Sequence, residues 1–365
     1  MKILCLYHSC GPQFVRQGWS NVFKACGHEF YFWNPKEKPV FDAFDQLNPD
    51  IFISTTYDIT TGTIQCLKEY PNTKVALVGS NWGELDKSID LVKYPIVVAQ
   101  DKEKRIIESL KKQTGKPDVI FTHYHDSFIE PTMGLWRSIG CDIMSMLNAA
   151  DVIDYGIGEY KQELASDIVF VGGYWKYKAE NLDKYILPLC EPAGKYRIKL
   201  FGNQAWPVPQ YLGLIGTSSV KHLFASATIC PSVSEPHSNE FGFDVIERPF
   251  KILSAGGFCI SDDVLSLHRD IFKNKELPIA KTPSEMKSMI DNFLAFPEER
   301  IPFMKAGQAT VYEKHTYFHR VADLLNVLNM PKEADDILNT YTSKYCPIQL
   351  PNNENTLIGA YSGTT

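Results

Sequence analysis

Two histidines close an apolar run in KPDVIFTHYHDSF (116–128), and strand alternation would turn His123 and His125 to one face. Three chemistries fit that pair: plain structural bonding at a loop start, a hydrolytic metal site, or contact with a substrate's hydroxyls. The metal reading fails on spacing. A metallohydrolase H-x-H-x-D-H needs its aspartate one position later than Asp126, and its closing histidine is missing. His315 and His319 stand one helical turn apart without a third ligand, so they read as helix surface or packing. The nine cysteines contain no C-x-x-C pair, which argues against a zinc knuckle or a disulfide framework. No metal is expected to be required.

Phosphate chemistry is the next candidate. A dinucleotide fold needs G-x-G-x-x-G directly after its first strand, but here the turn reads HSCGPQFVRQG, with Gly11 and Gly18 too far apart. In DIVFVGGYW (167–175), Gly172 and Gly173 precede Tyr174 and Trp175. Either the glycines make a tight strand-to-helix turn, or their amides face a diphosphate with Lys176 or Lys178 adding charge. The longest informative segment is ATICPSVSEPHSNEFGFDVIERPFKILSAGGFCISDD (227–263). A strand ends at Pro231-Ser232, and a loop carries Glu235 and Glu240. Pro249 suits a first helical position, and Gly256-Gly257 suits a helix end. Arg248 then either neutralises a diphosphate at that helix start or is, with Glu247, an ordinary charge flanking a cap.

These residues need a scaffold, and the pattern supplies one. Short β-rich runs (2–8, 29–33, 50–55, 74–80, 95–100 and 118–123) alternate with helical stretches, as in a parallel sheet covered on two faces. The pattern restarts at Asp167, continues through RIKLFG (197–202), ATICPS (227–232) and GFCISD (257–262), and closes with a helix over Tyr317 to Leu328. The expected fold is α/β, two Rossmann-like doubly wound domains facing across a cleft, where ligands bind. The domains are expected at 1–155 and 156–330, with 331–365 a C-terminal segment and tail that packs back on the first domain. A chain of 365 residues suits two cores. Its net charge of −6 argues against coating nucleic acid through bulk charge. No run approaches the ~20 apolar residues of a membrane span. KILCLY reads as a first strand, and scattered cysteines suit a reducing cytoplasm.

ERPFKILSAGGFCISDD resembles the R-x-F-E-x-x-A-x-G-G segment of the CgeB-like (spore maturation protein-like) glycosyltransferases, of the glycosyl-transferases group 1 clan. Three further segments agree in order: LNAADVIDYGIGEYKQELASDIVFVGGY (147–174), VKHLFASATICPS (220–232) and HTYFHRVADLLNVL (315–328). The resemblance covers most of 147–328. It implies a GT-B fold, a nucleoside-diphosphate sugar as donor substrate without further cofactor, and retaining transfer to an acceptor hydroxyl. The acceptor stays open among a glycan, a protein, a small molecule and a modified nucleobase. It also implies roles. Arg248, His123 and His125 are the catalytic candidates. Gly172, Gly173, Tyr174, Lys176, Trp206 (as a platform for the base), Ser232, Glu247 and Lys251 are the donor-binding candidates. His8 and Gly11 fall on the acceptor side. The family carries a carboxylate where this chain has Lys251. Either Glu247 holds the donor ribose in its place or Lys251 grips phosphate, and a catalytically silent relative that only binds a nucleotide or glycan is the alternative this departure motivates.

Overall fold

A computed structural model describes residues 1–7, 12–79, 104, 107, 108, 110, 117–273 and 275–347. The expected strand at 95–100, His8, Gly11 and most of the expected helix at 102–112 lie outside these residues. The chain divides into two compact units: Met1–Leu147 with Phe318–Tyr341, and Asn148–Tyr317 with Thr342–Thr365.

The first unit is built on Lys2–Leu6 (β1), Glu29–Trp33 (β2), Ile51–Thr55 (β3), Lys74–Val78 (β4), Val119–Thr122 (β5) and Asp142–Ser145 (β6). They form one sheet in the order β2-β1-β3-β4-β5-β6, with every described pairing parallel. Every residue of β3 and β5 is buried. Such buried runs, apolar except for the closing Ser54, Thr55 and Thr122, are what a parallel sheet needs when helices cover its faces. The helix Pro12–Ala25 buries Trp19, Val22 and Phe23, a helical i, i+3, i+4 stripe. The helix over Tyr317–Val327, read from sequence as the end of the second unit, is counted from Phe318 onward with the first. There Arg320 Nε donates to Leu147 O at 3.0 Å, and the Phe318 ring packs 5.2 Å from that of Tyr341.

The second unit holds Ser166–Val171 (β7), Ile198–Phe201 (β8), Ala227–Ser232 (β9), Cys259–Asp262 (β10) and the two-residue Ile279–Ala280 (β11). Its sheet runs β11-β10-β9-β7-β8, again parallel. Phe170, Leu182, Ile229, Phe258, Ile260 and Ile290 lie in its core, with Phe258 edge-on to Phe293 at 4.7 Å. Chain order reverses between β7 and β9. In doubly wound sheets a ligand binds beyond the carboxyl ends of the strands at such a switch point. The residues that follow Val171, Ser232 and Asp262 are therefore the ones to inspect.

No helix among the described residues is long and apolar enough to cross a membrane.

Candidate functional site

Arg248 is the hub of the switch point. It opens the seven-residue helix Arg248–Ser254, and its guanidinium turns back to the strand ends. Nε donates to Val171 O at 3.1 Å and Nη1 to Val233 O at 3.1 Å, so one planar fork ties the end of β7 to the end of β9. Its Cζ lies 4.4 Å from the centre of the Phe170 ring. Burial lowers its pKa against the pull of Glu235 and Asp262, but a guanidinium stays charged.

Gly172 makes room for that guanidinium. A Cβ there would stand 2.9 Å from Arg248 Nη2 and 2.9 Å from the Phe170 ring. Its amide is not offered to a ligand, as the sequence suggests, because Gly172 N–H donates to Phe201 O at 2.8 Å and continues the sheet. Gly173 is crowded by Asn203 and Trp175, and the Tyr174 hydroxyl donates to Asp183. Trp206 is also placed differently from the expectation. Its ring is 5% exposed, packs on Phe170 and Tyr174, and donates Nε1–H to Gly172 O at 2.9 Å. A ring so buried braces the glycine turn and has no face to stack on a base.

Lys176 is exposed at the first position of the helix Lys176–Tyr185, whereas Lys178 is buried. Burial, reinforced by the Arg248 charge, holds the Lys178 ammonium down to about 7. Its nearest carboxylate is Glu235, at 3.9 Å. Asp262, at the end of β10 and fully buried, accepts from Ser234 N at 2.7 Å, Ser234 Oγ at 3.0 Å and Asn239 Nδ2 at 2.9 Å. These bonds fix the loop after β9. Burial raises the Asp262 pKa in spite of them. Ser232 is fully buried at the end of β9. Two cations, one of them poised to titrate, and a braced loop thus meet where the sheet reverses. That arrangement can hold an anion as charged as a diphosphate. Glu235, Asp262 and Asn239 were not singled out as site residues from the sequence. The rule that ligands gather at strand ends is the signal that points to Glu235 and Asp262.

Glu247 and Lys251, alternatives in the sequence, are partners in the fold. Lys251 Nζ lies 2.6 Å from Glu247 Oε2 and 4.1 Å from the centre of the Tyr155 ring. Burial alone would lower the Lys251 pKa, but the Glu247 carboxylate raises it. The Tyr317 hydroxyl, kept protonated by burial and by Glu247, donates to Glu247 Oε1 at 3.0 Å.

In the first unit β5 ends at Thr122, so strand alternation does not extend to His125. Instead His125 caps a short 3-10 turn, its Nδ1 accepting from Ser127 N at 3.3 Å. His123 Nδ1 lies 2.8 Å from Met146 O, which only an N–H can satisfy. In their neutral forms the two rings therefore differ: His123 has its acceptor at Nε2, and His125 its donor there. The His315 ring packs on Phe250 and Phe272, and His319 on Tyr341.

The glycosyl transferase-like family model matches residues 186–326. No curated protein matches the chain in sequence. Three similar solved structures carry the fold. T4 phage BGT in complex with its UDP-glucose substrate is 10% identical, with 92% of this chain and 99% of that chain covered and a TM-score of 0.54. An alpha-glucosyltransferase in complex with UDP and a 13-mer DNA containing an HMU base is 12% identical, with 90% and 99% covered and a TM-score of 0.60. Sucrose-phosphate synthase from Thermosynechococcus elongatus is 11% identical, with 93% and 99% covered and a TM-score of 0.59. Together with the two parallel α/β units these make the fold GT-B.

Proposed function

We propose that the chain is a nucleotide-sugar-dependent glycosyltransferase that holds its donor on the second unit and transfers the sugar to an acceptor hydroxyl. The observation that carries this reading is Arg248, whose one guanidinium joins Val171 O to Val233 O at the switch point with Lys178 beside it. The family match over 186–326 covers the same region. Glycosyl transfer needs charge stabilised on the departing diphosphate, and fixed cations in a sheltered site do that without reorganising. In this reading Arg248 and Lys178 take the diphosphate. Glu247, 2.6 Å from the Lys251 ammonium, accepts from the donor ribose. Gly172 contributes by lacking a side chain.

His123 and His125 are proposed to meet the sugar or the acceptor, one ring offering a lone pair and the other an N–H. His8 and Gly11 remain acceptor-side proposals. Retention at the anomeric carbon rests on the family resemblance, and a reducing cytoplasm rests on the nine cysteines being scattered along the sequence without a C-x-x-C pair. UDP and UDP-glucose occupy two of the similar structures, so uridine donors come first.

Incubating the chain with UDP-glucose and other nucleotide sugars, and following nucleoside diphosphate release, tests the activity. Slow release without acceptor is expected from a transferase. A chain that binds these donors yet releases nothing, with a broad panel of hydroxyl acceptors, is a silent binder and defeats the proposal.

A further inference from the structure

Beside the Arg248–Lys178 pair, the segment after β9 carries a cluster that donor binding does not use. Glu235, His237 and Asp244 each present a ligand atom, and these atoms lie within 4.8 Å of one another. His237 Nε2 is 2.8 Å from Asp244 Oδ2. The ring is held from its other side by Tyr177, whose hydroxyl lies 3.3 Å from Nδ1 and whose ring stacks on it at 5.9 Å. Tyr177 sits on the core-packed helix Lys176–Tyr185, so the imidazole is oriented before any ligand arrives.

Two carboxylate oxygens in this cluster are buried with no hydrogen-bond partner among the described residues: Asp244 Oδ1 and Glu235 Oε2. Asp244 is 1% exposed. A buried carboxylate oxygen without a donor is unfavourable, and each such atom in a folded protein calls for a partner, a water or an ion. Lys178 does not supply one, because its ammonium approaches the other Glu235 oxygen, Oε1, and only to 3.9 Å. Two carboxylates and one imidazole make a mixed oxygen and nitrogen set. That set suits a borderline divalent ion such as Mn2+ or Zn2+ better than a hard all-oxygen ion such as Ca2+.

We propose that Glu235, His237 and Asp244 form a binding site for a divalent transition-metal ion. The ion takes the Nε2 lone pair of His237 and one oxygen from each carboxylate. In a neutral ring the proton moves to Nδ1, where Tyr177 Oη accepts it; a protonated ring releases one proton to solvent. The Tyr177 contact is then the outer bond that fixes the tautomer, as metal-bound histidines generally have. The occupied site ties the start of the helix Pro236–Phe241 to Asp244 beyond it.

The test uses the full chain, stripped of metal by chelation and dialysis, with no nucleotide present, so that it stands apart from the donor reading. Mn2+ and Zn2+ are titrated separately by calorimetry and by thermal melting. One ion per chain is expected, with a melting temperature that climbs with ion concentration by mass action. Glu235→Gln and Asp244→Asn should each weaken binding by about tenfold or more. Spin-echo modulation of the bound Mn2+ should show one imidazole nitrogen, a readout that needs no variant to fold. Failure of both ions to bind, unchanged affinity in the two variants, or bound Mn2+ without nitrogen coupling would each overturn the site.

Discussion

Replacing Lys178 with methionine removes an ammonium that the fold keeps out of water. Burial, and after it the Arg248 charge, lowers its pKa from 10.5 to about 7. At ~1.4 kcal/mol for each pH unit, that drop corresponds to about 5 kcal/mol between the two protonation states. Below pH 7 the folded and unfolded chains both hold the proton, and the penalty is present in full. Between about 7 and 10.5 only the unfolded chain holds it, so this residue makes stability rise with pH. Buried thiols act in the opposite direction. Cys5 and Cys66 are pushed up to about 12 by burial, so above the ordinary thiol value the unfolded chain loses protons that the folded chain keeps. The wild-type curve alone therefore mixes two signs, and the difference from Lys178→Met isolates the lysine. Urea unfolding at constant ionic strength from pH 7 to 9 should show wild type gaining about 2 kcal/mol relative to the variant. Curves that run parallel would refute a buried, titrating Lys178. If a diphosphate lies against it, UDP binding at pH 8 should also take up close to one proton, read by calorimetry in buffers of different ionisation enthalpy.

Arg248→Lys keeps a charge but cannot span Val171 O and Val233 O. We expect a loss of about 2–4 kcal/mol in urea unfolding and UDP affinity at least about tenfold weaker. Gly172→Ala sets a methyl group 2.9 Å from that guanidinium, and a stability loss of about 1–3 kcal/mol is expected by the same assay. Glu247→Gln and Lys251→Met should couple by about 1–3 kcal/mol in a double-mutant cycle, because each removes the other's partner. Glu247→Gln should also weaken uridine binding more than 2′-deoxyuridine binding. Equal losses in calorimetry would remove its ribose role.

Strands were legible wherever burial on two faces leaves a short run rich in apolar and β-branched residues, as in KILCL, IFIST and ATICPS. β11 is only two residues long and offers no such run, and the helices Pro283–Ala295 and Arg300–Lys314 were not read from their mixed surfaces. Arg248 could be found because local punctuation, Pro249 and the later glycine pair, marks its helix. Lys178 could be named as a charge beside the glycine pair and Asp262 as a strand end, but the depressed pKa of Lys178, the bonds that anchor Asp262 and the His237–Asp244 pair could not be read, since they come from groups that are distant in sequence or from burial itself. The Trp206 expectation failed for a related reason: the sequence gives its ring but not the carbonyl at Gly172 that consumes its N–H. Glu247 and Lys251 looked like rivals only until helical spacing placed them one turn apart and in contact.

The central claim is that the second unit binds a nucleoside diphosphate through Arg248 and its neighbouring lysine. Calorimetric titration of the full chain with uridine, UMP and UDP, followed by the same series on Arg248→Lys, tests it most directly. Affinity should climb with each phosphate in wild type, with UDP at least about tenfold tighter than uridine, and Arg248→Lys should flatten the series while leaving uridine unchanged. Equal affinities for all three ligands in wild type, or a series that survives in Arg248→Lys, would contradict it.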